Sequence, residues 1–261
     1  MGLPIKTIAE SKERVKAALS SIGFALPTKK ILINLAPADL VKEGSHFDLA
    51  IACAILTAMN ILPELEIAEY LIIGELSLDG SILPVSGALP AAIGVSVRGK
   101  GLICSSKNSS EVAWSGNDNI LVAGNLIELV NPFKGSQVLT PPEAKLQDAP
   151  INYPDFKDIK GQKIAKRALE AASGGHNLLM FGPPGIGKSR LAACLPSILP
   201  KMSTKEILEC SMITSIAGKF LDGKLTKARP CRTPHYSCSL AAMVSGGVGK
   251  KSKAWGNYAS S

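Results

Sequence analysis

Residues 182–189 read Gly-Pro-Pro-Gly-Ile-Gly-Lys-Ser, with the apolar run Asn177–Phe181 before them and a segment of helical character from Arg190 after them. No other stretch constrains the fold as strongly, because G-x-x-x-x-G-K-[ST] between a strand and a helix is the phosphate-binding loop. The apolar run predicts a short strand buried in a parallel sheet. Gly185 and Gly187 allow backbone amides to turn inward around phosphate oxygens with no Cβ in the way. A helix starting at Lys188 adds unpaired amides and the positive end of its dipole. In such a loop the Lys188 ammonium reaches the β and γ phosphates and the Ser189 hydroxyl ligates Mg2+. The expected site therefore comprises Gly182, Pro183, Pro184, Gly185, Ile186, Gly187, Lys188 and Ser189, and its expected ligands are ATP and Mg2+.

Hydrolysis asks for more than binding: an acidic residue at the end of a second apolar strand has to hold the metal and orient water. After Ser189 the carboxylates are Glu206, Glu209 and Asp222. Ser203-Thr204-Lys205-Glu206 has capping-box spacing, which accounts for Glu206 locally, and Glu209 lies one turn further on. Asp222 follows only Phe220 and Leu221 and precedes Gly223, a turn pattern. None ends a four-residue apolar strand, so the sequence predicts nucleotide binding without the hydrolytic acid, and no catalytic residue is assigned.

The chain has 261 residues, which fits one large or two ordinary domains. Five of its 17 prolines (Pro132, Pro141, Pro142, Pro150, Pro154) crowd one stretch, the signature of a linker over 132–154. Residues 1–131 and 155–261 then form separate domains, the latter expected to be poorly ordered after about residue 217. In the first part Thr7 to Glu10 has capping-box spacing, and Val15, Ala18, Leu19 and Ile22 recur at helical intervals. Ile31–Leu35 reads as a strand and 46–60 as a buried helix. Tyr70–Leu78 and Ser81–Val85 flank Asp79-Gly80, the dipeptide of a two-residue type I′ hairpin. Pro90–Val97 suits a helix, Gly101–Cys104 a strand, Val112–Trp114 part of a short helix, and Ile120–Ala123 another strand. In the second part Gln162–Ser173 is helical. The class is α/β, with an α+β first domain.

Apolar residues make up 46% and charged residues 19%, enough to bury a core and to exclude wholesale disorder. No run approaches a membrane span, and Lys6, Glu10, Lys12 and Glu13 leave no secretory apolar region, so a soluble, cytoplasmic protein is expected. The net charge is +8, but from Ser215 onward Lys219, Lys224, Lys227, Arg229, Arg232, Lys250, Lys251 and Lys253 face Asp222 alone. The basic excess thus sits in one C-terminal stretch, which either attracts nucleic-acid phosphates or is a solvated tail. The six cysteines contain no C-x-x-C and sit in apolar segments, most of them reading as small buried hydrophobes. Cys231, His235 and Cys238 supply three ligands where structural zinc takes four, so no metal is assigned beyond Mg2+ at Ser189.

Asp155-Phe156-Lys157-Asp158-Ile159-Lys160-Gly161-Gln162, the run from Lys166 to Asn177 and the GPPGIGKS loop resemble the start of a magnesium-chelatase-like AAA+ module, and within that group the ComM (YifB) family. Arg229-Pro230-Cys231-Arg232-Thr233-Pro234-His235 resembles the family's RPFR-x-PHH segment, with Cys231 and Tyr236 departing from it. Gly2-Leu3-Pro4 through Phe24, Asn34 to Leu40 and Lys42-Glu43-Gly44 resemble its Lon-protease-like N-terminal domain. The resemblance implies that Ile159, Gly161 and Arg190 join the nucleotide-binding set. It implies a hexameric ATPase that acts on DNA, promoting branch migration in natural transformation. The family has strands ahead of the GLP segment, and after PHH an acid-bearing strand, sensors, an arginine finger and a helical lid. Here Met1 directly precedes Gly2 and the pattern fades at about Gly247, so a fragment truncated at both ends is expected, one that binds ATP and hydrolyses it poorly.

Lon peptidases carry a serine nucleophile and a lysine base. The stretches resembling theirs are Lys42 to Asp48 and Leu83 to Leu89, which place His46 at the serine position and Leu89 at the lysine position. Leucine takes no proton, so no peptidase dyad is expected. Ser45, His46 and Asp48 are sequence neighbours, whereas real triads assemble from separate segments; Ser45 or Asp48 reads as a helix start. Two other functions remain open beside the DNA-directed ATPase: a non-catalytic Lon-like interaction module and a magnesium-chelatase motor subunit.

Overall fold

A computed structural model describes residues 5–26, 30–35, 44–135, 153–218, 227, 229–232 and 237. The chain divides into two compact units, residues 1–145 with 214–224, and residues 146–213 with 225–261. It is of mixed α/β class, as expected.

The first unit is organised on a three-stranded parallel sheet, in the order β1 (Tyr70–Ile72), β4 (Gly101–Ser105), β5 (Ile120–Ala123). All five residues of β4 are buried, and strand alternation sends them to opposite faces. Ile103 joins a core with Val15, Ala18 and Leu19 of α1 (Ile5–Ser21), Leu49, Ala52 and Leu56 of α2 (Asp48–Ala58), and Leu126 and Leu129 of α6 (Leu126–Phe133). Leu102 and Cys104 face Ala88, Ala92 and Val95 of α4 (Ala88–Ser96) and Val112 of α5 (Ser109–Val112). Helices on both faces explain why this strand is a continuous apolar run.

Several expectations hold in outline: α2 falls within 46–60, and β4, β5 and α4 lie where the sequence places them; a one-turn helix, α3 (Glu64–Ile67), precedes β1. Five need correction. α1 begins by Ile5, so Thr7 lies inside the helix and not at its cap. Residues 31–35 form no strand, and Leu32 is 88% exposed; an apolar run becomes a strand only beside a partner, and among the described residues none pairs with it. Tyr70–Leu78 is not one strand. Its first residues join the parallel sheet, and after Gly74 the chain enters a separate hairpin, β2 (Glu75–Leu76) against β3 (Ile82–Leu83). That hairpin turns through three residues and not two. Gly80 N–H donates to the Ser77 carbonyl (3.2 Å), Ser77 N–H to Ser81 (3.0 Å), and Gly80 has φ +84°, which is a type I turn closed by a left-handed glycine. Asp79 accepts from the Ser81 amide and hydroxyl (3.0 and 2.9 Å), a local bond that favours this form.

The segment likened to the peptidase lysine region is held by buried polar groups. Gly87, at the N-cap of α4, offers no side chain, and Glu111 takes its place by accepting from the Leu89 amide at 3.2 Å. Asn108 donates to Glu111 (2.9 Å) and exchanges two 3.1 Å bonds with the backbone of Val85. Leu89 is fully buried in the core.

The second unit contains α7 (Lys163–Ala172), α8 (Lys188–Ile198) and most of α9 (Thr204–Ile216), with a 3-10 turn over Phe156–Asp158. Ile159, Leu169, Leu191 and Cys194 make its small core, flanked by Phe156, Met180 and Leu195. The fifth correction falls here: Asn177–Phe181 is not a strand, and Leu179 and Phe181 are 86% and 88% exposed. A strand of a parallel sheet needs neighbours for its N–H and C=O groups, and no described segment runs beside it. Pro132 lies in the last turn of α6, and 136–152, most of the expected linker, is outside the described residues, as is nearly all of the chain after 218.

Candidate functional site

The loop between Phe181 and α8 has the curl its composition demands. Gly182, Gly185 and Gly187 adopt φ +151°, +84° and +91°, a region that a side chain disfavours. Gly187 is the N-cap of α8, with no side-chain cap and no acidic residue in the first turn. The first amides of α8 therefore remain available and the dipole is uncompensated, the arrangement that receives an anion. The Leu191 amide returns to the Gly187 carbonyl at 3.0 Å, so the helix starts firmly at the motif.

Lys188, the first residue of α8, folds back over the loop. Its Nζ donates to the carbonyls of Gly182 (2.8 Å) and Pro183 (2.7 Å). Ser189 and Arg190 are exposed on the first turn, as are Pro183, Pro184, Gly185, Ile186 and Gly187. Ile186 is 45% exposed and packs on Gly182: a Cβ built there meets Ile186 Cδ1 at 2.6 Å. The cationic donor, the hydroxyl and the uncapped amides thus converge on one exposed loop. That donor set fits a triphosphate, and the Ser189 hydroxyl offers an oxygen of the kind that ligates Mg2+.

The residues taken from the resemblance behave differently from one another. Ile159 is 8% exposed and packs its side chain into the small core, so only its backbone is left to meet a ligand. Gly161 has φ +70° and is exposed, followed by Gln162 in the left-handed conformation at the N-cap of α7.

The carboxylates weighed for hydrolysis have other partners. Glu206 accepts from the Ser203 amide (2.7 Å) and hydroxyl (2.9 Å), while its own amide donates to Ser203 Oγ (3.3 Å), a complete capping box. Arg229 Nη2 pairs with the other Glu206 oxygen at 2.7 Å. These bonds, the Ser203 amide first, draw the Glu206 pKa down to about 2. Glu209 stands 4.0 Å from Lys205. Asp222, His235 and Cys238 lie outside the described residues, and no cluster of His, Cys, Asp or Glu suited to a metal occurs among the described ones. The sequence missed what Arg229 does: its Nε donates to the Pro200 carbonyl (2.8 Å) while its other nitrogen holds Glu206, and the Lys227 carbonyl accepts from Met202 (3.2 Å). The resemblance of 229–235 to a family segment marked the position, but the partner is 23 residues away.

In the first unit the peptidase comparison ends in structural roles. Asp48 opens α2 and is 1% exposed, but its carboxylate accepts from Arg14 Nε (2.6 Å) and from Ser11, both on α1. His46 uses its carbonyl to hold the Gly74 amide (3.1 Å).

Comparisons with known proteins identify the family. A family model for the subunit ChlI of magnesium chelatase matches residues 1–108, and a second, for magnesium chelatase subunit ChlI, matches 155–256. The class is therefore the magnesium-chelatase-like proteins, and the second match runs past Gly247, where the pattern was expected to fade. "Uncharacterized protein YifB" of Salmonella typhimurium is 41% identical over 249 residues, 95% of this chain and 49% of that protein. "Competence protein ComM" of Haemophilus influenzae is 39% identical over 254 residues, 95% of this chain and 50% of that protein. "Uncharacterized protein Rv2897c" of Mycobacterium tuberculosis is 37% identical over 252 residues, with the same shares. The chain belongs to the ComM/YifB family. It spans about half the length of these relatives. Among the described residues no helix is long and apolar enough to cross a membrane.

Proposed function

We propose that this chain is the nucleotide-binding part of a cytoplasmic AAA+ ATPase of the ComM type. The loop Gly182–Ser189 with Arg190 grips ATP, Ser189 ligates Mg2+, and the backbone about Ile159 and Gly161 lies at the nucleotide. Residues 1–131 are a Lon-protease-like domain without the peptidase dyad, joined through 132–154 to the AAA+ module of 155–261. The role that "Competence protein ComM" carries in its name, together with the basic stretch after Ser215, supports DNA as the partner and competence as the setting. The assembled protein works as a homo-oligomer, a hexamer in the family. By itself this stretch of chain binds ATP-Mg and turns it over poorly.

The observation that carries this reading is the position of Lys188: the first residue of an uncapped helix, with its ammonium over the loop carbonyls of Gly182 and Pro183. Titration of a fluorescent ATP-Mg analogue tests it. The chain should bind, and Lys188→Ala should weaken binding by about tenfold or more, since a charge-assisted contact to phosphate is lost. Absence of saturable binding by the unaltered chain would sink the nucleotide reading. Steady-state turnover abolished by Lys188→Ala would sink the claim of poor hydrolysis.

A further inference from the structure

The phosphate loop is drawn together across its mouth by two side chains from its far end. Lys188 binds the carbonyls of Gly182 and Pro183, and Ile186 fills the space that a side chain at 182 would take, with Cδ1 2.6 Å from the position of an added Cβ. Between these ties, an added Cβ at Gly185 or Gly187 meets no atom of the described residues within 4 Å. The two ties differ in what a ligand does to them. An ammonium has three donors, and two here are spent on carbonyls, so a triphosphate competes for the lysine tie. It has no claim on an apolar contact. The Ile186–Gly182 contact is the one that persists when the ammonium turns to phosphate.

We infer that Ile186 is a positioning residue for nucleotide binding, holding the loop curled so that its amides converge before the ligand arrives. It acts through the backbone and touches no reacting atom. A loop that is already curled loses less conformational freedom on binding. With 45% of Ile186 exposed, the contact contributes little to the fold and its effect is concentrated in the loop.

The inference rests on the nucleotide reading only for its binding arm, and the test has a second arm that does not. In the nucleotide-free chain, NMR order parameters of the amides of Gly185 to Ser189, which report how firmly the curl is held, should fall in Ile186→Ala and in Ile186→Val, which loses Cδ1 alone. Ile186→Leu, which restores a δ carbon, should match the parent. Affinity for the ATP-Mg analogue should fall about three- to tenfold in the first two variants and recover in the third. Melting temperatures should stay together; if Ile186→Ala melts early, the valine and leucine variants carry the same comparison. Unchanged order parameters in both the alanine and valine variants would overturn the inference, as would tighter binding in either. If the parent chain binds no nucleotide, the functional reading falls while the order parameters still decide whether Ile186 holds the loop.

Discussion

Asp48 shows how little a residue's neighbours in sequence say about its task. Beside Ser45 and His46 it reads as the opening of a helix, and it does open α2, but its carboxylate serves Arg14 and Ser11 on α1. The pair is unequal, with Asp48 1% and Arg14 21% exposed at the side chain, and the hydrogen bond that Arg14 donates to Asp48 raises the Arg14 pKa further. Removing the carboxylate leaves a partly buried guanidinium without its partner. Asp48→Ala should therefore cost about 2–3 kcal/mol in a urea melt, below the range for a fully buried pair because water still reaches Arg14. A loss under about 0.5 kcal/mol would mark the pair as an ordinary surface bridge. Leu89 makes the complementary point. Its inability to act as a base was legible from its chemistry alone, whereas Glu111 as the cap of α4 was not, because that carboxylate comes from 22 residues further on.

At the scale of elements, local rules succeeded where the partner was local. Ser203 and Glu206 cap α9 reciprocally as their spacing requires, and α8 starts at Lys188 because Gly187 can take a positive φ. The Glu206 box also has a pH dependence of known sign. Its folded pKa is lowered from 4.5 to about 2, so the ionised form supports the native state above pH 4.5, and that support is lost as pH falls from about 4.5 towards 2. Protection of the Ser203 and Glu206 amides against hydrogen exchange, taken against the intrinsic rate at each pH, should fall across this window in the parent chain. Glu206→Gln should show a flatter profile, and an equally steep one would assign the loss to another carboxylate. Where partners are distant, the same rules failed. Ile31–Leu35 and Asn177–Phe181 have the composition of strands and no strand beside them among the described residues, and Tyr70–Leu78 broke at Gly74 between two different pairings.

For the whole molecule, burial sorts the cysteines. Cys53 and Cys104 lie in the two cores of the first unit, and burial pushes both thiols up to about 12, while Cys231 is exposed. Thiolate is the reactive form, so iodoacetamide at pH 8 should label Cys231 within the native chain and reach Cys53 and Cys104 only on unfolding. Native labelling of Cys53 at a rate like that of Cys231 would show that the first core is open. The sequence alone determined the phosphate loop, the helix that follows it, most helices of the first unit and the family, because each depends on residue types at short fixed spacing. Tertiary structure decided which apolar runs become strands, that Glu111 caps α4 and that Arg229 locks Glu206. Those outcomes depend on which groups meet in space, and unpaired backbone or an unpartnered charge settles only when a distant segment supplies its complement.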